Sequence, residues 1–368
     1  MHVSFEGDED AARSALVELD PYAPAAGASG PEPDGATLAM SVLPAGGRHR
    51  LRELQLLAED GLVTGYDGER LWLLDAGVGC SVPPLEWDGV ADVRLERGFG
   101  VGRAFRSVVR PALQLAVARR GGVAIHAASV EIDGRAVLVA GWSESGKTET
   151  ALALVEDGAS FFSDKWTVVT DDGRAAAFPI GVGVRGWVLR YLPRLREGLP
   201  LAARMQLRGA AVGGVITGPL RRWHGGGRVG QLAADVARRS VALADRAGLR
   251  PSQIRQIYGD RADPARRLPV GLVAVLRTSP ADAVSVDAGD PERLSTRLAV
   301  SAVAERSSYL DLQRRAAYAE ARRFDVASVQ ERDREAIHAL LASTRTVEVT
   351  APFPADPRRV AVAIAGSL

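Results

Sequence analysis

The chain has 368 residues, with 46 Lys plus Arg against 45 Asp plus Glu and a formal net charge of +1. That balance argues against a general nucleic-acid binder, which carries a marked basic excess. The length allows two or three domains with sizeable cores. A single cysteine, Cys80, rules out an internal disulfide framework and fits a reducing compartment.

The opening MHVSFEGDEDAARSALVELD is acidic and lacks an apolar signal core, and no apolar run approaches the length of a membrane span. A cytoplasmic protein with no membrane partner is expected. Residues 22–36, rich in Ala, Gly and Pro, read as a loop. From Thr37 to Val93 short apolar runs alternate with turn signals, which predicts antiparallel strands with a hairpin turn at Tyr66-Asp67-Gly68. Residues 104–120 have helical spacing, and Pro111 inside them marks a helix start or a kink.

GVAIHAASVEIDGRAVLVAG then reads as strand, tight Asp133-Gly134 turn, strand. Ala136–Ala140 is wholly apolar, as a strand covered on both faces should be. A helix is predicted over Thr148–Glu156, ended by Gly158. SFFSD and WTVVT follow as extended segments, and this alternation predicts an α/β core. The region 181–270 reads as loop-prone and basic. Beyond it come a buried strand at 272–278, helices over 291–323 and 328–343, and a tail of strand, loop and closing helix. No internal repeat is visible.

Lysine stands at only two positions, Lys147 and Lys165; every other basic side chain is arginine. Arginine does not substitute where a compact ammonium must sit at one point, so both positions attract interest. Gly141 to Thr148, GWSESGKT, fits the G-x-x-x-x-G-K-[ST] pattern of a phosphate-binding loop. An apolar strand leads in and a helix leads out. Gly141 and Gly146 let the backbone turn so that N–H groups face phosphate oxygens, and the helix start adds its positive end. Lys147 can reach β- and γ-phosphates, and the Thr148 hydroxyl can ligate Mg²⁺. Such loops also need a carboxylate from a neighbouring strand. Asp164, after Phe161-Phe162, is the best placed, whereas Asp171 and Asp172 look like a turn.

IHAASVEIDGRAVLVAG followed by SGKTETALALVEDGASFFSDKW resembles the catalytic core of the HPr kinase/phosphorylases and the broader HPr kinase-related proteins. The resemblance covers about residues 121–170, more weakly to about 190. Its specific part is the Glu149-Thr150-Ala151-Leu152 run, which the generic loop pattern lacks. It implies an ATP-binding core like that of phosphoenolpyruvate carboxykinases, and phosphoryl transfer to a hydroxyl. Carried over by position, Ser143, Glu144, Ser145, Gly146, Lys147, Thr148 and Glu149 lie along ATP, and Thr148 and Asp164 hold Mg²⁺. Asp164 takes the place of the general base, and His126 matches a histidine near the site. His126 also reads as a core histidine satisfied by a backbone carbonyl.

Three positions depart from the family. Lys165 replaces its second aspartate; it either neutralises charge on the transferred phosphoryl or points to solvent. Gly183 replaces an acidic residue in a loosely matching stretch that keeps Arg185 and Gly186, which puts reverse phosphorylase activity in doubt. Trp142 and Glu144 stand where family loops often carry small or acidic residues. Outside the resemblance, Arg221, Arg222, His224 and Arg228 in GPLRRWHGGGRVG could grip phosphates or an anionic acceptor, or form a solvated surface loop. The implied organisation is a β-rich segment 1–100, an ATP-binding domain 101–290 and a C-terminal helical segment 291–368. The implied function is an ATP-dependent kinase acting on a hydroxyl of a peptide, protein or small molecule, with oligomers common in the family. An ATP-binding regulatory or assembly module without transfer, and a nucleotide hydrolase, are the competing readings.

Overall fold

Val137, Val139 and their neighbours from Ala136 to Ala140 have no exposed surface, and the second half of the fold is arranged around that strand. The computed structural model describes residues 2–6, 14–15, 17–19, 37–43, 54–59, 63–84, 90–209, 245–260, 265–280, 283–352 and 354–368. The architecture is mixed α/β with several sheets. Two compact units are each assembled from separated segments. The first is Met1–His126, Thr167–Pro179 and Asp290–Arg345; the second is Ala127–Trp166, Ile180–Gly289 and Thr346–Leu368. The consecutive segments 1–100, 101–290 and 291–368 read from the sequence cut the chain elsewhere.

The first unit holds a seven-stranded sheet. It is not purely antiparallel as expected: His2–Glu6 pairs parallel with Thr37–Leu43, which pairs parallel with Val90–Glu96. The hairpin is as read. Asp67 Oδ1 accepts from the N–H groups of Glu69 and Arg70, and Gly68 takes φ 99°. Asp67 Oδ2 also accepts from Trp72 Nε1 at 2.6 Å, so one carboxylate sets the turn and anchors a core ring. Cys80 is completely buried, which pushes its thiol up to about 12 and leaves it unreactive. Pro111 interrupts nothing. A π-helical turn, Phe105–Val109, runs directly into the α-helix Arg110–Arg119, and the wider turn accommodates the missing proline N–H.

The helix expected over 291–323 is two helices, Pro291–Glu305 and Ser307–Ala319, broken at Arg306. Arg306 is buried and ion-paired with Asp333 of the facing helix Val326–Ser343, both side chains 1% exposed. Removing one partner of such a pair strands a buried charge.

In the second unit the strand order is Ser160–Ser163, Ala127–Ile132, Arg135–Gly141, Arg267–Thr278, Thr346–Ala351, Ser285–Ala288. Arg135–Gly141 lies antiparallel to Ala127–Ile132 and parallel to Arg267–Thr278. The core joins Val137 and Val139 to Leu152 and Val155 of the helix Lys147–Glu156, and to Val360 and Ile364 of the closing helix Pro357–Ala365. Burying each large aliphatic side chain contributes about 2 kcal/mol. Within 181–270 the described residues form regular elements where loops were expected. Val182–Arg185 pairs antiparallel with Arg246–Leu249, and helices cover Pro193–Gly198, 201–209 and Pro251–Tyr258. Among the described residues no helix is long and apolar enough to cross a membrane.

Candidate functional site

The strand Arg135–Gly141 delivers the chain into the loop, and Gly141 turns it at φ 147°. A Cβ there would stand 2.9 Å from both the Leu276 carbonyl oxygen and Ser145 Oγ, so only glycine fits. Glu144 (φ 63°) and Gly146 (φ 91°) then take left-handed conformations. Such residues within a tight loop turn successive N–H groups toward one concavity, a site for an anion. Gly146 caps the helix Lys147–Glu156 and brings no capping side chain, so no side chain of the cap covers the positive end of the helix. Ser145 Oγ is buried and has no hydrogen-bond partner, an arrangement that favours an incoming polar group. Lys147 is 6% exposed, and its ammonium donates to the Trp142 carbonyl oxygen at 2.5 Å, holding the cation against the loop.

The carboxylate arrives from another strand. Thr148 donates its hydroxyl to Asp164 Oδ1 at 2.7 Å. Asp164 is 3% exposed, and burial pushes its carboxyl above the ordinary range. The Thr148 hydroxyl and the Lys165 backbone N–H pull it back down, the Glu149 charge raises it, and the Arg246 charge lowers it.

The turn that presents Asp164 is strained. Lys165 has φ 59°, and the Trp166 N–H donates to the Asp164 carbonyl oxygen at 2.6 Å. This is a three-residue turn with a positive-φ, non-glycine centre, a rare conformation. Ser163 Oγ braces it by donating to the Trp166 carbonyl oxygen at 2.7 Å. Lys165 is half-buried. Glycine would take this conformation more easily, so Lys165→Gly should leave the protein as stable or more stable by about 1 kcal/mol. Activity should fall if the ammonium serves the site. Thermal unfolding and turnover measured together separate the two effects, and unchanged turnover would make Lys165 a bystander.

A cleft of about 250 Å³ opens beside the loop. Glu144, Ser145 and Glu149 form one wall, Arg185, Trp187 and Arg190 another, and Leu276, Pro352, Pro354 and Val360 a third. Arg185 is tied to the loop by an ion pair with Glu144 at 2.6 Å. The second unit therefore brings together Gly141, Glu144, Ser145, Gly146, Lys147, Thr148, Glu149, Asp164, Lys165 and Arg185, with Ser143 exposed on the loop. His126 belongs to the first unit. It is 3% exposed and its Nδ1 lies 2.9 Å from Ser301 Oγ, the surroundings of a core histidine. Arg221, Arg222, His224 and Arg228 lie outside the described residues. Sequence reading missed Trp187, Arg190 and the proline wall. The repeated prolines of APFPADP were visible as a loop, but nothing local tied them to residues two hundred positions earlier.

Among the described residues no group of three or more His, Cys, Asp or Glu side chains is disposed to hold a metal ion. The Thr148 hydroxyl and Asp164 carboxylate do suit Mg²⁺, which keeps most of its waters and takes one or two protein oxygens beside phosphates. No family model matches this chain, and no curated protein matches it.

Proposed function

We propose that this chain is an ATP-dependent kinase, binding ATP on the loop Gly141–Thr148 and transferring the γ-phosphoryl group to a hydroxyl of a peptide, protein or small molecule. The reading follows the resemblance of its core to the HPr kinase-related proteins. The observation that carries it is the 2.7 Å contact between Thr148 and Asp164, which joins the loop's hydroxyl to a buried carboxylate 16 residues away in sequence. A fortuitous glycine turn has no reason to make that contact.

The resemblance and the geometry together support the following roles. The loop N–H groups and Lys147 hold the phosphates. The cleft takes the nucleoside, since Trp187, Leu276, Pro352, Pro354 and Val360 give it an apolar side between charged rims and neither Lys147 nor Asp164 lines it. The acceptor then approaches on the Asp164 side. Its hydroxyl oxygen attacks the γ-phosphorus, the bond to the β–γ bridging oxygen breaks, and ADP leaves. The hydroxyl proton passes to Asp164, whose raised pKa suits it to accept and release a proton. Thr148 and Asp164 would hold Mg²⁺, which when bound neutralises charge on the β- and γ-phosphates. The Lys165 ammonium adds positive charge beside the base.

One observation favours a second reading, an ATP-binding regulatory or assembly module. A lysine follows Asp164 directly, and no further carboxylate cluster accompanies it among the described residues. Incubation with γ-labelled ATP and Mg²⁺, against pools of metabolites and serine-containing peptides, decides between them. Label on one acceptor establishes the kinase. Tight ATP binding without transfer leaves the regulatory module, and release of phosphate without an acceptor indicates a hydrolase.

A further inference from the structure

Gly183 and Arg246 form a close approach that the loop motif does not predict. The strands Val182–Arg185 and Arg246–Leu249 pair so that Arg185 stands directly opposite Arg246 and Gly183 opposite Gly248. Like charges directly opposite each other on antiparallel strands repel, so the pairing favours an anion between or beside them. Arg185 meets a carboxylate, that of Glu144. Among the described residues Arg246 meets none.

The Arg246 side chain instead lies along the strand pair over Gly183. A Cβ on Gly183 would stand 2.0 Å from Arg246 Nε and 2.6 Å from its Cζ. Glycine at 183 therefore makes room for a guanidinium, and φ there is not in the left-handed region that would otherwise call for glycine. The base of the arginine is held as well. Gln206 Nε2 donates to the Arg246 carbonyl oxygen at 3.0 Å, and the Gly186 N–H donates to the Asp245 carbonyl oxygen at 3.2 Å. The charge of this placed side chain is felt at Asp164, the carboxylate bonded to Thr148 of the loop. Arg246 itself is exposed, so an entering ligand can reach it.

We infer that Arg246 is a phosphate-gripping residue of this site, its guanidinium engaging the terminal phosphate of a bound nucleoside triphosphate, with Gly183 present to let it lie there. The inference rests on the nucleotide reading above and goes beyond it, because it assigns a residue outside the loop to one phosphate. A planar guanidinium can make two parallel bonds to phosphate oxygens, which an ammonium cannot. In transfer the same contact neutralises charge on the migrating phosphoryl group.

The test compares ATP with ADP, which differ by that phosphate, using calorimetry on the full chain. Arg246→Ala should lose about ten- to a hundredfold in ATP affinity, the size expected for a hydrogen bond between charged groups, with ADP affinity unchanged. Gly183→Ala reaches the same end independently. Its methyl group displaces the flexible, exposed arginine without removing the charge, so ATP affinity should fall while thermal stability holds. Added to Arg246→Ala, it should cost nothing further. Arg246→Lys should restore only part of the loss. If Arg246→Ala keeps the wild-type ratio of ATP to ADP affinity, the assignment is overturned while the nucleotide reading stands. If the wild type binds neither nucleotide, the nucleotide reading fails and Arg246 loses its role with it.

Discussion

Asp164→Asn is expected to retain ATP binding and to lose about 10²- to 10⁴-fold in transfer rate, the range for removing a general base. Asparagine has nearly the same shape, and its Oδ1 can still accept the Thr148 hydroxyl now bonded at 2.7 Å. What it cannot do is take a proton. Single-turnover transfer of labelled phosphate measures the loss, and a rate within threefold of wild type, on the order of experimental scatter against that range, would remove Asp164 as the base. The same variant carries a stability signature. Burial raises the folded pKa of Asp164 above its unfolded value, so the folded state holds the proton more strongly. The contribution of Asp164 to stability is therefore fully present below the unfolded carboxylate pKa and is lost as pH rises through the elevated folded value. Without divalent cation, the asparagine variant should gain on the wild type as pH rises through that window, and the two should converge on acidification. Denaturant unfolding at several pH values with a chelator present reads this directly.

Lys147→Ala is expected to weaken ATP binding by about a hundredfold or more, equivalent to about 3 kcal/mol for a charge-assisted contact. Lys147 is 6% exposed and its ammonium donates to the Trp142 carbonyl oxygen at 2.5 Å. It is therefore held against the loop. Lys147→Arg should not rescue binding, because the longer planar group does not fit a site built around one buried point charge. Calorimetry reads the affinity and circular dichroism checks the fold. ATP binding that survives in the alanine variant would sink the phosphate-loop assignment.

Much of the site was legible because its information is local. Gly141, Gly146, Lys147 and Thr148 fall at the fixed spacing of one short loop pattern. The observed φ values of 147° and 91° at the two glycines bear out the backbone part of that pattern. The apolar run Ala136–Ala140 announced a buried strand, and Gly158 announced the end of the helix. Asp164 was legible because it closes the next strand. The errors were failures of long-range information. The parallel pairings at the edge of the N-terminal sheet join strands separated by many residues, so no hairpin signal marks them. The break at Arg306 has no glycine or proline beside it, and the ion pair with Asp333 of the facing helix joins residues far apart in the chain.

The amino-acid sequence by itself determined the loop, its flanking strand and helix, and the chemistry their side chains can offer, because each is set by neighbours a few positions apart. The tertiary structure alone decided that Asp164 reaches Thr148, that Lys165 sits in a strained turn, and that the proline-rich segment before the closing helix walls the cleft. It also decided that Gly183 leaves space for Arg246. All but the Lys165 turn hold between residues 16 or more positions apart, and they exist only when sheet pairing and core packing bring the segments together, which no local pattern encodes.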